Sequence, residues 1–363
     1  MSTTSILGIG TARARYVVDQ STLARRYDGL LTAVTRDRRV GRKARLLFSR
    51  ARLRSRQFAI PDVADVGEAV LYGGEELPST AERMEVFARV APALAEEASR
   101  RALSSADVDP REVSSLTVAT CTGVGAPDLD VELVQRLGLP AAVERNLLVW
   151  MSCTGSFPAI RLGQRAAGAK PGSVALVVCV EVCSLHVRAE EDSGSLVAHS
   201  LFADGASAVV VGEASPKDSL ATLGEGATRL VPEGRDVLRW TFSDHGFQAH
   251  LGPDLPVLVE KATPSFIKEL VGARVADVRG WCVHPGGPAI LDAVERAFGL
   301  DSSSLDVSRE VLGTLGNMSS ATIWYVLERV LDDLDPGDMG LLLGFGTGLT
   351  LEGLVFERGG RAR

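Results

Sequence analysis

The stretch Leu147-Leu-Val-Trp-Met-Ser-Cys-Thr-Gly-Ser156 decides how the rest of the chain is read. Its first five residues are apolar and predict a buried strand. The next five are small, apart from Cys153, and Pro158-Ala-Ile-Arg-Leu162 then predicts a helix. Cys153 therefore stands at a strand-to-helix junction. The amides and dipole of a helix N-terminus favour a thiolate at such a place.

Outward from this junction, helices alternate with short apolar strands. Residues 81–100 have helical spacing, with a bend expected at Pro92. Leu116-Thr-Val-Ala-Thr120 reads as a strand, and Leu133-Val-Gln-Arg-Leu137 as a short helix ended by Gly138 and Pro140. Ser173-Val-Ala-Leu-Val-Val-Cys-Val180 and Ala208-Val-Val-Val-Gly212 are unbroken apolar runs, the pattern of strands covered on both faces. Gly280-Trp-Cys-Val283 and Gly340-Leu-Leu-Leu-Gly-Phe345 repeat it. Ile290, Leu291, Val294, Ala297 and Phe298 form a helical stripe opened by Pro288, and Thr322–Leu331 forms another helix. The polar stretch Glu213-Ala-Ser-Pro-Lys-Asp218 is the best boundary. The expected class is α/β, with similar halves at 1–213 and 214–363 and helices between and outside two sheets.

A chain of 363 residues, 45% apolar, can build a large core. No apolar run reaches the roughly 18 residues of a membrane helix. The start, Met1-Ser-Thr-Thr-Ser-Ile-Leu-Gly-Ile-Gly10, lacks the pattern of a secretory leader, so a cytoplasmic protein is expected. The five cysteines (121, 153, 179, 183 and 282) contain no Cys-x-x-Cys pair, which argues against a disulfide framework or structural zinc. Net charge is −7, yet residues 36–56 hold ten basic residues and one acid, Asp37. Such a segment is either a solvated helix face or a seat for a polyanion. With only Phe48 and Phe58 as aromatics, a nucleotide diphosphate suits it better than nucleic acid.

Two further sites share the glycine-rich setting of Cys153: His284-Pro-Gly-Gly287 and Gly316-Asn-Met-Ser-Ser-Ala321. Each residue alone has an ordinary reading: Cys153 as a buried packing residue, Asn317 as a helix cap. Cys, His and Asn together point to acyl transfer. Glu181, inside an apolar strand, needs hydrogen-bond partners and reads as structural.

These motifs, with Leu201-Phe-Ala-Asp-Gly-Ala-Ser-Ala-Val209 and Gly344-Phe-Gly-Thr-Gly-Leu-Thr350, resemble the type III polyketide synthases, the chalcone/stilbene-synthase-like family with the thiolase fold. They occur in the family's order across nearly the whole chain. Cys121-Thr-Gly123 and Cys183-Ser-Leu185 look like its bacterial members. The resemblance implies a homodimer with a layered αβαβα arrangement, no cofactor or metal, and iterative decarboxylative condensation of malonyl-CoA onto an acyl-CoA or malonyl-CoA starter held on Cys153, closed to a pyrone, resorcinol or naphthalene-type product. It implies Cys153, His284 and Asn317 as catalytic residues. Phe202 resembles a gatekeeper, with Ala249 or Phe247 at a second gate. Cys121, Thr122, Cys183, His186 and Ser319 align with cavity-lining positions. Ala126 aligns with a larger residue at the dimer interface of plant members. Lys43 and Arg50 align with CoA-phosphate contacts, helped by Arg45 and Arg54, whereas Leu46 replaces a third such contact. Alternatives in the same fold are a single-condensation acyltransferase and a non-catalytic CoA- or partner-binding protein.

Overall fold

The structure, a computed structural model, describes residues 4–64, 68–74, 76–187 and 193–362. The strands are β1 (Thr4–Arg13), β2 (Tyr16–Asp19), β3 (Ser55–Phe58), β4 (Val113–Thr120), β5 (Glu144–Val149), β6 (Val174–Val182), β7 (Asp204–Glu213), β8 (Ala221–Leu230), β9 (Leu238–Ser243), β10 (Gly246–Leu251), β11 (Val278–Val283), β12 (Met339–Gly346) and β13 (Thr350–Arg358). The helices are α1 (Gln20–Thr35), α2 (Arg38–Arg50), α3 (Pro61–Ala64), α4 (Thr80–Ala106), α5 (Leu129–Leu137), α6 (Ser156–Ala167), α7 (Ser193–Leu201), α8 (Leu255–Val271), α9 (Pro288–Phe298), α10 (Asp306–Leu315) and α11 (Thr322–Val330).

Nine strands follow one another in the order β11-β12-β13-β8-β1-β7-β6-β4-β5. The order contains a repeat. β4 pairs parallel with β6, β6 antiparallel with β7, and β7 antiparallel with β1. In the other half β11 pairs parallel with β12, β12 antiparallel with β13, and β13 antiparallel with β8. The halves meet where β1 touches β8 through two residue pairs, Ser5–Thr222 and Ile6–Ala221.

Three apolar cores separate the layers. The first packs α4 on the outer face of the β1–β7–β6–β4 sheet. The second holds α6 and α11 between the halves, and the third lies under α8 and α9. This is the layered αβαβα arrangement of the thiolase-like fold. β6 is buried at every position, as a strand covered by helices on both faces must be. Pro92 lies within α4, and the helix continues through it for 27 residues.

One expectation fails. The apolar run 147–151 falls at the end of β5, the outermost strand of the sheet, and just beyond it, and none of its residues is fully buried. The apolar side chains of β5 are half-buried, while nearby Met151 and Phe242 are exposed.

Candidate active site

Cys153 sits where β5 gives way to α6, in a short 3-10 turn, Ser152–Thr154. Two non-glycine residues there, Trp150 (φ 64°) and Ser152 (φ 55°), adopt the left-handed conformation. Ser319 (φ 48°), on a facing turn, does the same. Three of the six such residues described thus cluster at one place, where strain must be held by neighbours. The Thr154 hydroxyl donates to the Met151 carbonyl at 2.7 Å, and the Gly155 N–H to the Ser152 carbonyl at 3.0 Å. From outside the turn, Cys121 Sγ lies 3.4 Å from the Ser152 carbonyl, and Trp240 Nε1 lies 3.4 Å from Ser152 Oγ. α6 starts at Gly155 without a side-chain cap.

The second half of the chain supplies the rest of the turn's support. A Cβ on Gly346 would lie 2.2 Å from Thr154 Oγ1, and one on Gly344 would lie 2.4 Å from the Phe157 ring. The glycines of Gly344-Phe-Gly346 let β12 press against the turn and helix that carry Cys153.

His284 follows β11, and its N–H bonds to the Leu343 carbonyl at 2.8 Å. The ring is fully buried, and neither nitrogen has a hydrogen-bond partner among the described residues. Burial pulls its pKa down to about 3. Cys153 is the mirror case. Burial pushes its thiol up to about 11, and contacts from Ser319, Ser152 and Asn317 offset part of the rise. Each group resists charging alone; a buried acid and base of this kind ionise most cheaply as a pair.

Asn317 lies between α10 and α11, after Gly316 (φ 83°). It does not cap α11, whose N-cap is Ala321. Its Oδ1 instead accepts from the Ser319 N–H at 2.9 Å and the Thr322 hydroxyl at 3.5 Å. This turns Nδ2 outward, where one N–H makes a long bond (3.4 Å) to the Gly286 carbonyl, two residues after His284. The contact with Cys153 and the link to Gly286 bring the Cys, His and Asn segments to one buried site.

Glu181 lies beneath it. The buried carboxylate accepts from the Cys121 N–H (2.9 Å), the Thr122 hydroxyl (2.9 Å) and the Ser320 hydroxyl (2.5 Å). Burial raises its pKa to about 7 against those bonds. It ties the Cys121–Thr122 loop to the turn bearing Ser319. Its role is structural.

Cys183, His186, Phe202, Phe247 and Ala249 line one narrow cavity with Trp240. Cys121, Trp150, Trp240, Phe242, Arg235 and Arg239 line an open cavity of about 290 Å³. His186 is locked as a neutral ring. Its Nε2 is 2.8 Å from the Thr122 carbonyl, and Nδ1 accepts from the Phe247 N–H at 3.2 Å. Phe247 stacks on it, ring centroids 4.2 Å apart, and meets Trp150 edge-on at 4.7 Å. Ala249 presents only a methyl group to the same cavity. Trp240, Trp150 and Phe242 are missing from the expected lining. The signal for two of them was present: Leu238–Ser243 and Gly246–Leu251 form a hairpin around Asp244-His245, with positive φ at Gly246.

Lys43 and Arg50 are exposed on α2, and Leu46 between them is 49% exposed. Arg54 is ion-paired with Glu310, and Arg45 lies 3.8 Å from Asp28. A cavity of about 670 Å³ lies between α9 and α10 and is lined by Arg52 and Arg54 rather than by Lys43 or Arg50. Its arginines pair with Asp292, Glu295 and Glu310. Ala126 is exposed on its loop. The five cysteines are all buried and free. Among the described residues, no helix is long and apolar enough to cross a membrane.

The chain matches two family models in succession: chalcone and stilbene synthases, N-terminal domain, over residues 2–216, and the C-terminal domain of the same family over residues 222–358. A protein of Mycobacterium tuberculosis named alpha-pyrone synthesis polyketide synthase-like Pks18 is 29% identical over 97% of this chain and 90% of its own. Among solved structures, PKS-I from the brown alga Ectocarpus siliculosus superposes with a TM-score of 0.89 at 26% identity, covering 99% of both chains. A type III pentaketide synthase from Neurospora crassa superposes with a TM-score of 0.85 at 27% identity, over 98% of this chain and 99% of that one. The C-terminal type III polyketide synthase domain of Steely1 from Dictyostelium gives 0.88 at 26% identity, over 98% and 99%. A Cys–His–Asn site on a duplicated α/β fold and two consecutive family matches agree: the chain belongs to the chalcone and stilbene synthases, as a type III polyketide synthase of the thiolase-like fold.

Proposed function

We propose that the enzyme loads an acyl group from acyl-CoA onto Cys153 and extends it by repeated decarboxylative condensation with malonyl-CoA. What supports this reading is Asn317, which contacts the buried Cys153 thiol and reaches the Gly286 carbonyl two residues from the buried, unpartnered imidazole of His284. Proton transfer from Cys153 to His284 gives a thiolate–imidazolium pair. The thiolate attacks the acyl carbonyl, and the CoA thiolate leaves. Malonyl-CoA then loses carbon dioxide, and its electron pair passes into an enolate. Asn317 Nδ2 and His284 donate to the enolate oxygen. The enolate carbon attacks the Cys153 thioester, lengthens the chain by two carbons and expels the thiolate.

A short pyrone is the product this reading favours. The open cavity, about 290 Å³, is at the lower end of ligand pockets. Lactonisation needs only an enol oxygen to attack the thioester carbonyl and expel the CoA thiolate that the last condensation leaves on the chain. It requires no acid or base at His186, whose nitrogens are both engaged. The mycobacterial relative's name also refers to α-pyrone synthesis. We further propose a homodimer formed along the β5 edge, because that strand has an unpaired backbone edge and half-buried apolar side chains, with exposed Met151 and Phe242 near its end.

Asn317→Ala tests the chemistry. Malonyl-CoA decarboxylation should fall about a hundredfold, the usual cost of one oxyanion-hole donor. Acylation of Cys153, followed by peptide mass spectrometry, should persist. Unimpaired decarboxylation would remove Asn317 from the mechanism. Products from a panel of acyl-CoA starters, analysed by mass spectrometry, test the pyrone; carbocyclic products would refute it.

A further inference from the structure

Arg56 is a buried cation that the reaction does not use. It is 1% exposed, and its hydrogen bonds go to carbonyl and amide oxygens, with the buried Asp204 carboxylate acting on it through space. Burying a guanidinium is costly unless its donors are well placed. Its rings of contact are Phe48 and Phe58, whose centroids lie 5.2 and 5.4 Å from the guanidinium carbon.

Nη1 and Nε bond toward the end of α7, while Nη2 has no hydrogen-bond partner among the described residues. Nη1 donates to the carbonyls of His199 and Phe202, both at 2.7 Å. Nε donates to Gln20 Oε1 at 3.0 Å, and Gln20 Nε2 donates to the Ser200 carbonyl at 2.9 Å. The one carbonyl left in that run, Leu201, accepts the N–H of Asn317 at 2.9 Å. The Asn317 carbonyl in turn accepts the N–H of Ala203 at 2.8 Å. Four successive carbonyls are thereby held, the outer two by Arg56 and the third by Asn317. On its other side, the Arg56 stem supports Gly316, the residue before Asn317. A Cβ on Gly316 would lie 2.9 Å from Arg56 Cγ.

We propose that Arg56 is a positioning residue: by holding the 199–202 carbonyls and the Gly316 turn together, it fixes Phe202 and Asn317 as one unit. The cavity wall and the oxyanion donor are then set by the same side chain. A helix C-terminus favours a cation, so the placement also suits the dipole of α7. The proposal rests on the reading of Phe202 and Asn317 given above.

The test is Arg56→Lys, which keeps the charge but cannot bond both carbonyls and Gln20 at once. Thermal unfolding establishes that the variant is folded. Alkylation of Cys153 by iodoacetamide and by a bulky aryl iodoacetamide, followed by mass spectrometry, reads the wall. Malonyl-CoA decarboxylation reads Asn317. The bulky-to-small alkylation ratio should change by about fivefold or more. The kcat for decarboxylation should fall about tenfold, with KM much less affected, since positioning acts in the transition state. A folded variant with wild-type values for both, whatever its Tm, overturns the proposal. If Arg56→Lys is insoluble, Gln20→Ala decides by the same readouts, and unchanged values there overturn it. A wild-type enzyme that fails to decarboxylate malonyl-CoA would indict the proposed function instead. The alkylation ratio still decides the role of Arg56 in that case.

Discussion

Cys153 and His284 show how burial shapes reactivity. One is pushed up to about 11 and the other down to about 3, both chiefly by loss of water. The thiolate is therefore available near neutrality only when the imidazole takes its proton. In His284→Ala, Cys153 should ionise only near its buried value, so iodoacetamide inactivation at pH 7 should drop and then climb steadily toward alkaline pH. Wild-type inactivation should level off at much lower pH. Superimposable rate–pH profiles for the two proteins would show that His284 does not activate the thiol. That Cys153, His284 and Asn317 would all lie buried in glycine-rich turns was legible from residue type and setting. The strain at Trp150 and Ser152 was not, because a left-handed serine is imposed by tertiary neighbours such as Trp240 and Cys121. Nor was the network around Arg56, whose partners lie 143 and 146 residues away in sequence.

Among the elements, those with unbroken apolar runs were read most reliably: β6, β7, β11 and β12 all contain the expected strands. β1 and β13 escaped notice, since glycines and polar residues interrupt them, and so did the β9–β10 hairpin. β5 was recognised as a strand but placed in the interior, because an apolar sequence does not reveal whether a sheet or another surface will cover it. α2 carries the remaining expectation, CoA binding. Lys43 and Arg50 both lie on its exposed side, two turns apart. Replacing both with Ala should raise KM for acyl-CoA and malonyl-CoA several-fold, with little change in kcat, because the nucleotide is bound equally in ground and transition states. Short thioesters lacking the nucleotide should be indifferent. Steady-state kinetics with both substrate types makes the comparison, and equal losses for the two would reduce α2 to a structural helix.

At the scale of the molecule, duplication was visible as two runs of alternating helices and strands, but the narrow join between β1 and β8 was not. The exposed edge of β5 carries the homodimer proposal. Met151→Arg, placed at 38% exposure beside that edge, should shift the enzyme from dimer to monomer in light scattering after gel filtration. A dimer unaffected by this charge would place the interface elsewhere. The pressure of β12 on the Thr154 turn has a consequence of timing. Gly346 is synthesised nearly two hundred residues after Cys153, and His284 and Asn317 also come late. While the first half emerges from the ribosome, its thiol has neither the imidazole that would ionise it nor the strand that braces its turn. On the proposed mechanism the growing chain thus carries that thiol in a quiet form, and arms it only when β12 is laid down.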